Sequence, residues 1–278
     1  MQDVLSAWEK VEIARCPTRK TALDYIEKVF DEFIELQGDR LYGDDASFVC
    51  GLGCIEKQNV TIIAQQKGRN TKENVKRNFG MPNPEGYRKA IRIMKQSEKF
   101  GRPIITFIDT KGAYPGIQAE ERGQGEAIAR SMFEMSKIKV PIIAVVIGEG
   151  SSGGALAISI ANKIIMLENA IYSILSPEGY ASILWKDSSK AKEAAEKMKL
   201  TAQDLYDLNI IDSIIQENNI KYNSENEKFE IISNNLKKDI ILNLNNLNTL
   251  TAEKILQDRY LKFRNMGEYK EVDYDIKK

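Results

Sequence analysis

VPIIAVVIGEGSSGGALAI, residues 140–158, decides the fold of this chain. The apolar run 140–147 has the length and β-branched content of a buried strand. It breaks into seven residues of Gly, Glu and Ser, then resumes as the small-residue, apolar pattern of a helix. Gly148, Gly150, Gly153 and Gly154 carry no Cβ, so backbone N–H groups can approach a ligand closely there. The helix start places those donors where unpaired N–H groups and the helix dipole both favour negative charge. The stretch therefore reads as a backbone oxyanion site. Tight helix–sheet packing would account for one of the four glycines but not for all of them.

Upstream, a second unit repeats the pattern. The strand 103–108 (PIITFI) runs into the turn DTKGAYPG (109–116), and a helix is expected over 119–137. Gly112 and Gly116 leave amides free, Pro115 stiffens the bend, and Tyr114 offers a phenol. Strand, glycine-rich turn and helix recur at roughly 40-residue intervals, which predicts an α/β domain with parallel pairing. In such sheets ligands gather at the carboxyl ends of the strands, where both turns fall.

Periodicity and breakers place helices over 2–14 and 21–36, strands over 48–55 and 60–66, and a helix over 85–100. A basic segment, 67–77, leads into an irregular loop, 78–86. Short strands follow at 163–167, 170–174 and near 210–215, a polar linker at 218–227, and helices over 229–247 and 251–265. The charged tail beyond reads as lacking order. Three regions result: an N-terminal helical extension (1–37), a core (38–217), and C-terminal helices with a polar tail (218–278).

The 278 residues are 42% hydrophobic and 29% charged, enough apolar material for a sizeable core. Forty basic and forty acidic residues balance, so there is no bulk electrostatic case for nucleic acid or membrane. No run has transmembrane length, and the amphipathic start (Leu5, Trp8, Val11) is no signal peptide, which points to the cytoplasm. Cys16, Cys50 and Cys54 fit reduced thiols and not a zinc knuckle. The chain has no histidine, which removes Ser–His–Asp and Cys–His catalysis together with imidazole metal ligation.

The G-x-S-x-G pattern at 150–154 centres on Ser152 and invites a serine hydrolase reading, but that motif needs a base. A Ser–Lys dyad with Lys111 or Lys67 is the alternative; the plainer reading has Ser151 and Ser152 capping the helix. Lys67, Arg69 and Arg77 form either a solvated face or a site for phosphates or an acidic partner.

Six ordered blocks give the chain a resemblance. LDYIEKVFDEFIELQGDR (23–40), QKGRNTKENVKRNFGMPNPEGYRKA (66–90), ITFIDTKGAYPG (105–116), AEERGQGEAIA (119–129), VIGEGSSGGALAI (146–158) and SPEGYASILWK (176–186) are similar to the carboxyltransferase alpha subunits of bacterial and plastid acetyl-CoA carboxylase. That resemblance implies the crotonase fold, a spiral of ββα units, here with flanking N- and C-terminal helices. It implies carboxyl transfer from carboxybiotin on the biotin carboxyl carrier protein to acetyl-CoA, giving malonyl-CoA, the first committed step of fatty acid synthesis. It also implies an alpha2beta2 heterotetramer, joined in the full complex by biotin carboxylase. The beta subunit would carry the zinc and most of the coenzyme A site, leaving this chain with no metal and no covalent cofactor. By the same resemblance Gly153 and Gly154 bind the biotin ureido oxygen, with Gly112 and Ala113 supplying the other amide. Gly148, Gly150, Ser151, Ser152, Tyr114 and Gly116 would line the carboxybiotin site. Two positions depart from the family pattern: Lys111 stands where a proline is common, and Gln65 where a histidine is usual. A Ser–Lys peptidase on a related fold, a decarboxylase, a carboxyltransferase for another acyl-CoA and a non-catalytic scaffold subunit are the competing readings.

Overall fold

The protein, described over residues 5–267 in a computed structural model, begins with α1 (Ala7–Arg15) and α2 (Ala22–Val29). Each opens on a capping box, Ser6 with Glu9 and Thr21 with Asp24, which satisfies donors that a helix start leaves unpaired. The expected helix over 21–36 ends early. Phe30 turns extended, and the next residues form β1 (Glu32–Glu35), antiparallel to β2 (Phe48–Ile55). The open edge of β2 offers β1 a ladder, and Asp31 N–H and Leu36 N–H donate to the Cys54 and Cys50 carbonyls at its two ends. The apolar spacing of Phe30, Phe33 and Ile34 thus belonged partly to a strand.

β2 and β3 (Gln58–Gln65) form a hairpin about Glu56 and Lys57, both left-handed. From β3 the sheet continues in parallel through β4 (Ile104–Thr110), β5 (Ile142–Ser151), β6 (Lys163–Leu167) and β8 (Ser213–Ile215). β7 (Ile171–Ser173) pairs with the carboxyl half of β5, while β6 pairs with its amino half. The buried strands are runs of Ile, Val and Ala, as a sheet covered on both faces requires.

Between the strands lie α3 (Thr71–Lys76), α4 (Pro84–Lys99), α5 (Ile117–Glu121) and α6 (Gln124–Lys137). The helix expected over 119–137 is two, because Gly123 adopts φ +82° between them. After β5 come α7 (Ser152–Leu156), α8 (Pro177–Trp185), α9 (Ala191–Lys197) and α10 (Ala202–Asp207). The last two helices, α11 (Glu225–Leu247) and α12 (Ala252–Arg264), dock on the core. Arg259 fastens α12: its buried guanidinium donates to the carbonyls of Met135, Ile138 and Val140 and to Asn162 Oδ1. The tail expected to lack order lies outside the described residues, as do positions 2–4 of the first expected helix.

Candidate active site

The two glycine turns meet. β4 and β5 are neighbours, so the turn after each emerges at the same end of the sheet. A Cβ on Gly154 would lie 2.5 Å from Ala113 N and 2.7 Å from Gly112 C, so the 112–113 backbone rests directly on α7. Gly112 has φ +132°, a conformation side chains rarely adopt, and its N–H donates to Thr110 Oγ1. Ala113 N–H has no partner among the described residues. Ser151 sits at the N-cap of α7 yet makes no capping bond, and its buried hydroxyl is unpaired. The expected serine caps are therefore absent, and the first-turn N–H groups of Ser152, Gly153 and Gly154 receive no side-chain acceptor.

Gly153 and Ser152 open into an apolar cavity of about 660 Å³, lined also by Leu156, Tyr172, Ile174 and Tyr180. Ser152 is left-handed, φ +60°, at the strand-to-helix corner. Its shape is that of a nucleophile elbow, but among the described residues no base serves it. Lys67 is ion-paired with Asp109, and Lys67 and Lys111 line a different cavity. Lys199, which shares the Ser152 cavity, is engaged by Asp204 at 3.2 Å.

The residues expected as a loop, 148–151, continue β5 instead. Between Ile108↔Val146 and Thr110↔Gly150 the register shifts, so β5 bulges around residues 147–149. Asp109 fills the bulge: its carboxylate accepts the Glu149 N–H at 2.9 Å and would collide with any Cβ on Gly148. Arg19 caps the bulge from outside, donating to the Ile147 carbonyl. Gly148 is thereby committed to packing, and Gly150 and Gly116 lie against the rings of Tyr172 and Tyr114. Tyr114 anchors its own loop, its N–H donating to Pro82 O and its carbonyl accepting from Gln124. A bulge beside a site re-aims the backbone next to it, here the donors of α7.

Gln65 ties the two turns from beneath. Fully buried, it donates from Nε2 to the Gly154 carbonyl at 2.7 Å and accepts the Asp109 N–H at 3.3 Å. Sequence marked Gln65 only as a substitution, and a buried amide after a strand of apolar residues was its one signal. Asp109, Arg19 and Glu149 gave none. Glu149 is buried and held by Arg15, which also meets Glu178 at 2.7 Å. Of the three basic candidates, Lys67 and Arg69 share one cavity, while Arg77 is directed to the Ala46 carbonyl at 2.6 Å. No helix of the described residues is long and apolar enough to cross a membrane, and no group of three His, Cys, Asp or Glu side chains converges among them.

The geometry has known counterparts. The family described as acetyl co-enzyme A carboxylase carboxyltransferase-like matches residues 1–267. The acetyl-coenzyme A carboxylase carboxyl transferase subunit alpha of Clostridium botulinum (strain Alaska E43) is 56% identical over 264 residues, 95% of each chain. That of Staphylococcus saprophyticus is 54% identical over 96% of this chain and 84% of its own. A Clostridium tetani protein named for subunits beta/alpha is 55% identical over 97% of this chain, which spans 46% of it. Among solved structures, transcarboxylase 12S superposes with a TM-score of 0.69 at 19% identity, over 90% of this chain and 46% of that one. The beta subunit of P. aeruginosa geranyl-CoA carboxylase gives 0.65 at 15% identity, over 90% and 46%. These likenesses give the fold, a crotonase-like carboxyltransferase fold.

Proposed function

The chain belongs to the acetyl-CoA carboxylase carboxyltransferase family, and we propose that it forms the carboxybiotin-facing half of an active site completed by a beta subunit. The observation that carries this reading is the packing of the 112–113 turn, with its free Ala113 N–H, directly against the first turn of α7, whose Ser152 and Gly153 line the apolar cavity. The reaction is transfer of a carboxyl group to acetyl-CoA, giving malonyl-CoA. Biotin, borne by a carrier protein and charged by biotin carboxylase in the full complex, supplies that carboxyl group.

The residues present fit such a group. A cavity of about 660 Å³ with an apolar wall of Leu156, Ile174 and Leu208 accommodates a bicyclic ring and part of its arm. Gly153 lines that cavity, and in this reading the amides of Gly153 and Gly154 meet the group, with Gly112–Ala113, packed against Gly154, supplying the opposing donor. They hold negative charge where it develops, in a site whose apolar lining limits water. One such donor is worth ~10²–10³ in rate, and a backbone dipole needs no titrating side chain. A chain without histidine can therefore take part in catalysis. Gln65, Asp109 and the Gly148 bulge act as positioning residues, holding both turns in register. Tyr114 and Gly116 fix the loop that presents Ala113, and Ser152 lines the cavity with the buried Ser151 behind it.

The beta subunit would bring most of the coenzyme A site and the zinc, in an alpha2beta2 assembly in the cytoplasm. A relative whose name joins beta and alpha in one chain supports the pairing. Co-expression with a beta subunit tests it: the purified pair is expected to form malonyl-CoA from acetyl-CoA and a carboxybiotin donor, and neither chain alone. Equal transfer by the chain alone would sink the half-site reading.

A further inference from the structure

A second cavity, of about 370 Å³, lies between the α1–α2 corner and the segments after β3 and β4. Its wall carries Arg15, Arg19, Lys67, Arg69 and Lys111 against a single carboxylate, Asp109. Three of these cations are already engaged. Arg15 pairs with Glu149 and Glu178, Arg19 with Glu217, and Lys67 with Asp109. Arg69 and Lys111 are not. Arg69 lies 3.8 Å from Asp24 and half in solvent, a contact worth little. Lys111 has no ion-pair or hydrogen-bond partner among the described residues, although it stands on a tightly built turn.

Beside them stands Phe79. It is 48% exposed and left-handed, φ +55°, directly after Asn78 at φ +48°. A bulky residue held in that region is strained, and strain of this kind persists where the surroundings impose it. Here it holds an aromatic face at the edge of a cationic cavity. Two spare cations next to an exposed ring are the elements that bind a phosphate and stack a base.

We propose that this cavity is a nucleotide site, with Arg69 and Lys111 holding the phosphates and Phe79 stacking the base. The assignment does not rest on the carboxyltransferase reading. Lys111 brings a cation to the cavity wall from the turn after β4. The phosphates belong either to the nucleotide end of an acyl-CoA or to a separate nucleotide that regulates the enzyme, and the chemistry of recognition is the same.

The test uses the full-length chain, titrated with ADP and with inorganic pyrophosphate by calorimetry. A second readout is protection of Cys16, an exposed thiol on the wall of this cavity, from a thiol reagent. Both ligands are expected to bind saturably, more weakly as salt rises, and to slow Cys16 labelling. R69Q/K111Q should weaken both at least about tenfold, the loss of two charge-assisted contacts. F79A should weaken ADP about tenfold and leave pyrophosphate unchanged. Arg69 is half exposed, so R69Q alone, expected to weaken both ligands, keeps the test informative if the double variant misfolds. No saturable binding by the wild-type chain below about 10 mM, or equal binding by R69Q/K111Q, would overturn the proposal. In the pair with the beta subunit, competition between ADP and acetyl-CoA identifies the substrate's own nucleotide end. Binding without competition identifies a separate nucleotide.

Discussion

Replacing Gly154 by alanine adds one carbon where two turns touch. That carbon would lie 2.5 Å from Ala113 N, 2.7 Å from Gly112 C and 3.0 Å from Gly112 Cα. All three are backbone atoms, so no side chain can swing aside and the 112–113 turn must move. Overpacking of this kind costs about 1–3 kcal/mol. For a domain of this size that corresponds to roughly 2–10 °C in Tm. The displaced atom nearest the new methyl is the Ala113 nitrogen, whose N–H is one of the proposed donors. Moving it off target should lower kcat by ~10²–10³. Gly153→Ala is the internal control for folding, since its Cβ meets only Ile128 Cγ2 at 3.4 Å, an ordinary contact. The assay is malonyl-CoA formation by the pair with the beta subunit, beside thermal unfolding of each variant. If Gly154→Ala kept more than about half of wild-type kcat, the Ala113 N–H would not be a catalytic donor.

Gln65→Leu leaves the Asp109 N–H unpaired in the core and the Gly154 carbonyl with only the long bond from the Tyr87 hydroxyl at 3.5 Å, so unfolding free energy should fall by about 1–3 kcal/mol and kcat should fall more than KM rises. Gln65→His, which restores a donor, should recover most of the stability by the same denaturant titration. Burial would raise the Asp39 carboxyl, but the N–H groups of Leu41, Tyr42 and Gly43 and the Arg88 guanidinium outweigh it and hold its pKa at about 2. Since that value lies below the unfolded ~3.9, the associated stability is present above about pH 4 and is lost as pH falls toward 2. Asp39→Asn should therefore flatten acid unfolding across that window, read by circular dichroism. Ser152→Ala should keep carboxyl transfer within a few-fold and the wild-type chain should resist a fluorophosphonate probe; labelling of Ser152 would favour the peptidase reading.

The features legible in the sequence were those that repeat along the chain. The parallel strands are continuous apolar runs, and the turns after β4 and β5 are marked by glycines, so the α/β class and both glycine turns could be read from residues 103–158. Contacts between distant segments were not legible. Nothing local says that Asp109 enters the β5 bulge, that Gln65 reaches Gly154, or that Arg19 meets Ile147 across 128 residues. The same limit explains β1: Phe33 and Ile34 fit a helical stripe, and only the free edge of β2 makes them a strand. Gly148 misled for a related reason, because a glycine required by a neighbouring carboxylate looks the same in sequence as one that faces a ligand.

Gly153→Val probes the proposed placement of carboxybiotin against the amides of α7. Gly153 lines the apolar cavity with a non-left-handed backbone, and a Cβ there meets only Ile128 Cγ2 at 3.4 Å, so valine should fold while adding bulk to the first turn of α7 beside the cavity. The measurement is transfer of labelled carboxyl from carboxybiotin to acetyl-CoA by the pair with the beta subunit, with Tm and pairing verified as wild type. A loss of about a hundredfold or more is the predicted result. Transfer at the wild-type rate would mean that carboxybiotin does not bind against the first turn of α7.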